Sequence, residues 1–210
     1  MYAKTRAIIT KLAEESDRER LCIVRHDHYR RELAKLVKTG ELVSPWRGMY
    51  ADAEQWASLK PPERQRRIVR TLARNHPKWT FCSLTAALMY GLEVSYGDLM
   101  PIHCAVSPDC HTKSTDSIVR HVISGEEAVE VDGVRVTSFK RTVMDCLIGL
   151  DFRRGLAIAD SALRLGLSRW DLIAYIKQRA TSLGGRRRSM RLRGRTRWRQ
   201  TGASLLLEPS

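Results

Sequence analysis

The sequence predicts an α+β protein: an N-terminal winged helix-turn-helix, then a mixed α/β domain with a small sheet flanked by helices. Three observations predict it. A basic amphipathic helix pattern runs directly into a Pro/Gly hairpin within the first third of the chain. Three strand-like runs follow between residues 102 and 137. Helical periodicity returns on both sides of those runs.

The elements follow in order. Residues 4–16 place Ile8, Ile9 and Leu12 on one helical face, with Lys4, Arg6 and Lys11 elsewhere. After a break and the apolar run Leu21–Val24, a second helix is predicted from Asp27 to Lys38. Its stripe is Tyr29, Leu33, Leu36 and Val37, and Gly40 stops it. Leu42–Ser44 and Met49–Ala51 then read as two short strands around the turn Pro45-Trp46-Arg47-Gly48. Pro61-Pro62 opens a helix over Glu63–Asn75, with Ile68, Val69, Leu72 and Ala73 inside. Arg64, Arg66, Arg67, Arg70 and Arg74 form its outer side. Trp79–Leu92 reads as one buried helix ending near Gly91.

Strands are predicted at Ile102–Ser107, Ser117–Ile123 and Glu130–Thr137, the last folded into a hairpin by Asp132-Gly133. Thr137 or Ser138 caps a helix through Leu147, and another spans Phe152–Leu165 with Gly166 as its stop. Ser168 and Asp171 form a capping box for a last helix to about Ala180. The domains expected are 1–56, 57–180 and a basic tail, 181–210. Residues 184–200 hold eight arginines and no acid, a composition expected to stay disordered.

The formal net charge is +14, which favours polyanionic partners. Its placement is more informative than its sum. Residues 60–78 hold seven bases against the single acid Glu63, whereas residues 79–171 hold nine bases and twelve acids. The middle of the chain is therefore not the expected DNA-binding face. A basic helix followed by a basic hairpin fits a duplex: the helix enters the major groove and the hairpin tip reaches flanking phosphates. The candidate DNA-binding residues are Arg25, His28, Arg30, Arg31, Lys35, Lys38 and Arg47. Arg30 and Arg31 sit early on the helix, where base edges are usually read, and Arg47 sits at the hairpin tip.

No catalytic residue, cofactor or metal is expected. No G-x-S-x-G, phosphate loop or H-E-x-x-H motif occurs. Glu126, Glu127, Glu130 and Asp132 are the only dense acids and read as a solvated turn. His103, Cys104, Cys110 and His111 resemble zinc ligands in type only. Neighbours on a strand point to opposite faces, and the spacing fits no common structural site. The five cysteines are odd in number with no C-x-x-C pair, and Cys22, Cys82 and Cys146 lie in apolar runs as core thiols. With no leader pattern and no apolar run long enough for a membrane helix, a cytoplasmic protein with reduced thiols is expected.

Taken together, five stretches resemble the AbiEi family of type IV antitoxins, actinobacterial relatives included. Arg47-Gly48-Met49-Tyr50 resembles its R-G-x-Y wing, and Ser83–Leu92 its S-x-x-S/T-A-A-x-x-x-G-L helix. Ile102–Val106 resembles its central strand, and Ala159–Gly166 its last signature. Gly133–Asp145 resembles G-x-x-V-T-x-x-x-R-T-x-x-D, the most specific of the five. The resemblance implies an autoregulatory repressor that binds operator DNA and counteracts a nucleotidyltransferase-type toxin without direct contact being required; separately, a homodimer on DNA is an expected partner arrangement. The resemblance also marks Arg141, Thr142, Asp145 and Asp160 for a structural or antitoxin role. Arg141 and Asp145 are four apart, and with Asp160 they are expected to form a salt bridge that orients two helices. Many long relatives continue into a nuclease-like domain. Here the arginine-rich end reads as a truncated or frame-shifted remnant of that join, so nuclease activity is not expected. A nuclease-linked protein and a protein-binding scaffold are the competing readings.

The tail carries its own prediction. Each phosphate neutralised adds roughly −0.9 to the slope of log affinity against log salt. Deleting residues 184–210 should flatten that slope by several units on any duplex while leaving the preference for operator over random DNA nearly unchanged. A salt titration of both proteins on both duplexes checks this, and loss of the preference would place sequence reading in the tail.

Overall fold

Helix α1 (Ala3–Asp17) buries Ile8 and Leu12, four residues apart on one face. This is seen in a computed structural model that describes residues 3–24, 29–123 and 128–184. The chain continues through β1 (Cys22–Ile23), α2 (Arg30–Lys38), β2 (Leu42–Trp46) and β3 (Met49–Asp52). These strands form one antiparallel sheet in the order β1-β3-β2. Cys22, Leu33, Leu36 and Leu42 join Ile8 and Leu12 in a core that Val24, Tyr29 and Tyr50 partly cover.

The expected helix over Asp27–Lys38 is shorter, beginning at Arg30; Asp27 lies outside the described residues. Its end is as the sequence predicts. Gly40 adopts φ +80°, the Gly40 N–H donates to the Val37 carbonyl (3.2 Å) and the Glu41 N–H to the Leu36 carbonyl (3.0 Å). That pattern satisfies carbonyls the helix would otherwise leave open. The hairpin turn is tighter than expected. Trp46 pairs with Met49, so only Arg47 and Gly48 (φ +74°) make the turn, and Pro45 and Trp46 extend β2. Pro45 is tolerated because β2 is an edge strand and its register is irregular between Val43 and Trp46.

Helix α3 (Ala53–Ser58) was not legible from periodicity, being six residues long; the Asp52 side chain caps it by accepting from the Gln55 N–H at 2.9 Å. Helix α4 (Pro61–Asn75) starts on its prolines as expected but belongs with the first unit. By contacts the chain divides into residues up to Trp79 with Glu130–Arg135, and Thr80–Val129 with the chain from Val136 onward. The reason α4 joins the first unit is polar. Its buried Thr71 hydroxyl accepts the Leu21 N–H (2.8 Å), and its Arg74 pairs with Glu15 of α1. Glu15 is buried and also pairs with Arg20 at 3.0 Å. Burial alone would raise its pKa, but the hydrogen bonds and charges of Arg74 and Arg20 outweigh that and hold it below the ordinary value.

The second unit begins with β4 (Thr80–Phe81) and α5 (Ser83–Met89), where one continuous helix over Trp79–Leu92 was expected. Phe81, fully buried, pairs with Cys104 on one side and Val136 on the other. Two residues cannot display a strand's alternation, so the apolar run reads as helix. Strands β5 (Ile102–Val106), β6 (Ile118–Val122), β7 (Ala128–Val131) and β8 (Val134–Thr137) complete a five-stranded mixed sheet in the order β6-β5-β4-β8-β7, of which Glu130–Arg135 group with the first unit. Asp132 and Gly133, at φ +49° and +72°, form the turn between β7 and β8. Helices α6 (Phe139–Gly149), α7 (Phe152–Arg164) and α8 (Arg169–Gly184) follow, α8 running four residues past the expected end. Ala87 and Leu88 of α5, Val143 and Cys146 of α6, Ile158 and Ala162 of α7 and Leu172 of α8 share one core. The rest of the expected tail, 185–210, lies outside the described residues.

Glu15 gives a stability prediction with a definite pH dependence. Its folded pKa is depressed, so its stabilisation is complete above the ordinary value of 4.5 and is lost as pH falls through the lower folded pKa. Glu15→Gln should lower unfolding free energy by about 1–3 kcal/mol at pH 7, measured by urea denaturation. The difference from the parent should shrink below about pH 4; an equal loss at pH 7 and pH 3 would show that charge is not the cause.

Candidate nucleic-acid interface

Leu33 and Leu36 face the core of the first unit and fix the rotation of α2. The opposite side is then set by helix geometry. Arg31, Ala34, Lys35 and Lys38 recur at i, i+3, i+4 and i+7, and all four are exposed. Arg30 is exposed on the flank of this face, and Arg47 is exposed in the β2–β3 turn. Sequence reasoning passed over Ala34. Its position is legible once Leu33 and Leu36 are taken as the buried pair: a small side chain at the centre of a basic face lets a helix approach a surface closely.

What distinguishes these cations is that no described residue holds them. Among the described residues, Arg30, Arg31, Lys35, Lys38 and Arg47 have no hydrogen-bond or ion-pair partner for their charged groups. The arginines of α4, expected on its outer side, are the opposite case. Arg64 donates to the carbonyls of Trp56 (2.9 Å) and Ala57 (2.7 Å), with its guanidinium 5.7 Å from the Trp56 ring centre. Arg66 pairs with Glu63 at 3.3 Å, Arg67 donates to Ser16 Oγ at 3.1 Å, and Arg70 pairs with Glu19 at 2.7 Å. Arg74 is held by Glu15. A paired guanidinium gains less from a phosphate because an existing partner must be given up. Net charge along the sequence therefore overstates the available cations of residues 60–78. Two further candidates, Arg25 and His28, lie outside the described residues.

The second unit gathers the other sequence candidates. Arg141 and Asp145 form a two-point ion pair within α6, Nε to Oδ1 at 2.8 Å and to Oδ2 at 2.9 Å, largely buried. Asp160 is exposed on α7 and does not join them, so the pair does not bridge two helices as expected. Thr142 is fully buried, within 2.8 Å of the Thr137 hydroxyl and donating to the Thr137 carbonyl at 3.1 Å. Tyr90 donates to that same carbonyl at 2.9 Å. The R-T-x-x-D stretch thus ties the start of α6 to the end of β8.

His103 is paired with His121 across β5 and β6, Nδ1 to Nε2 at 2.8 Å. No local pattern marks His121, because adjacency across a parallel strand pair joins distant positions. Burial, with His121 nearby, pushes the His103 pKa down to about 4, and burial also lowers that of His121. Two neutral rings therefore share one hydrogen bond at neutral pH. Cys104 is buried on the alternate side of β5. Among the described residues no group of three or more His, Cys, Asp or Glu could hold a metal ion. Cys22, Cys82 and Cys146 are buried free thiols; burial pushes Cys22 up to about 11 and Cys146 up to about 12. No described helix is long and apolar enough to cross a membrane.

Compared with models of known protein families and with curated proteins, the chain matches none.

Proposed function

We propose that the first unit is a winged helix-turn-helix in which α2 reads the major groove and the β2–β3 turn is the wing, and that the chain is an AbiEi-like antitoxin. In this reading it represses its own toxin–antitoxin operon by binding operator DNA, and the second unit counteracts a nucleotidyltransferase-type toxin. The observation that carries it is the set of five uncommitted cations on α2 and the turn, against α4 arginines held by partners in the same unit. Arg30 and Arg31 open the helix, as base-reading residues commonly do, while Lys35, Lys38 and Arg47 suit phosphates. The stretches that resemble the family add the operon context and the division of labour. They also favour this reading over a scaffold without DNA specificity.

The test is a competition between a duplex from the chain's own promoter and a scrambled duplex, at physiological salt. The promoter duplex should win by at least tenfold. Replacing Arg31, Lys35 and Lys38 together by Ala should weaken both and flatten the log–log salt slope by roughly 2–3 units, at about 0.9 per phosphate. Equal competition by the two duplexes would defeat specific repression, and an unchanged salt slope would defeat this face as the contact.

A further inference from the structure

Helix α7 carries two apolar stripes, and only one of them is used. Gly155, Ile158 and Ala162 are buried in the core of the second unit. Phe152, Leu156, Ala159 and Leu163 form a second stripe at spacings of four, three and four, the repeat of a helix–helix seam. Here Phe152 is 62% exposed, Leu156 47% and Leu163 44%. Solvated side chains of this size, aligned on one helix, mark a contact surface more than a random surface does.

The charges beside the stripe indicate what covers it. Arg154 is paired with Asp98 (2.6 Å) and Asp151 (2.7 Å), and Arg164 with Glu93. Among the described residues, the Arg153 guanidinium and the Asp160 carboxylate are the charged groups of α7 left without a partner. Both are exposed, and each directly follows a stripe residue, Phe152 or Ala159, so they lie on the same flank.

We propose that this stripe is the homodimer interface of the chain, with α7 packed antiparallel against α7 of a second copy. A two-fold axis between Leu156 and Ala159 sets Phe152 against the partner's Leu163 and Leu156 against the partner's Ala159, large beside smaller in each layer. The same axis brings Arg153 alongside the partner's Asp160, twice. One cation and one anion on one flank are complementary to their own image under a two-fold, which neither an anionic membrane nor a nucleic acid would require. The arginine-rich segment 186–199 is a poorer occupant, because it carries eight arginines and would meet Arg153 as a like charge. A thirteen-residue helix is about 20 Å long, so this contact is at the small end of specific interfaces. Weak association, roughly micromolar, is the expectation for so small a contact. The inference needs no DNA and stands apart from the function proposed above.

Sedimentation velocity of the full chain without DNA, from about 1 to 100 µM, tests it. A concentration-dependent monomer–dimer equilibrium is expected. Leu156→Glu should abolish it with an unchanged circular dichroism spectrum, since the residue is exposed in the monomer. Arg153→Asp and Asp160→Arg should each weaken association several-fold, and the double exchange should restore it. That rescue is not expected if the residues only support the fold of α7. A monomer throughout the range overturns the proposal. So does a dimer indifferent to Leu156→Glu, a failed rescue, or a dimer that appears only when 185–210 is removed, which would assign the stripe to that segment.

Discussion

The burial of Leu33 and Leu36 is the constraint on which the proposed activity depends. Helix α2 has only nine residues and is held to its unit by that pair, with Tyr29 assisting. Isolated helices of this length are marginal in water, so the core both forms the helix and fixes which way it faces. Once the pair is inside, the positions of Arg31, Ala34, Lys35 and Lys38 follow from 3.6 residues per turn. Nothing need attract those cations outward, because the other face is already taken. The backbone cap at Gly40 then ends the helix and delivers the chain to β2. Lys35 and Lys38 also lie at the negative end of the helix dipole, which favours them whether or not DNA is bound.

A second constraint governs the remaining basic residues. A protein with this many arginines could present them all to solvent, yet the α4 set is mostly drawn inward. Glu15, Glu19 and Glu63 meet Arg20, Arg66, Arg70 and Arg74. Exposed pairs of this kind contribute little each, but Glu15 is buried, and there loss of the arginines would strand a charge. The basic surplus of the first unit thus includes cations that hold α1 against α4 and cations that have no partner among the described residues. The second group is where a polyanion can be bound without dismantling the fold.

Much of the fold was legible in the sequence because its signals are local. Gly40 and Gly166 end their helices where the periodicity stops, and Asp132-Gly133 turns the last hairpin. What escaped has a common cause. The strand at Thr80–Phe81 is defined by partners twenty and more residues away on either side, not by its own two residues. The pairing of His103 with His121, the isolation of Asp160 from Arg141 and Asp145, and the commitment of the α4 arginines are likewise relations between distant positions. Sequence gives the face on which a charge sits; it does not give whether another residue has already claimed it. For α2 the two agreed, and for α4 they did not.

Lysine acetylation footprinting by mass spectrometry, with and without duplex, addresses the basic face directly. It reads each ammonium group in the intact protein and needs no substitution. Lys35 and Lys38 should lose several-fold in reactivity when duplex is added, while Lys113 and Lys140 of the second unit keep theirs. Unchanged reactivity at Lys35 and Lys38 under conditions where the duplex is bound would contradict the assignment of α2 as the DNA-reading helix.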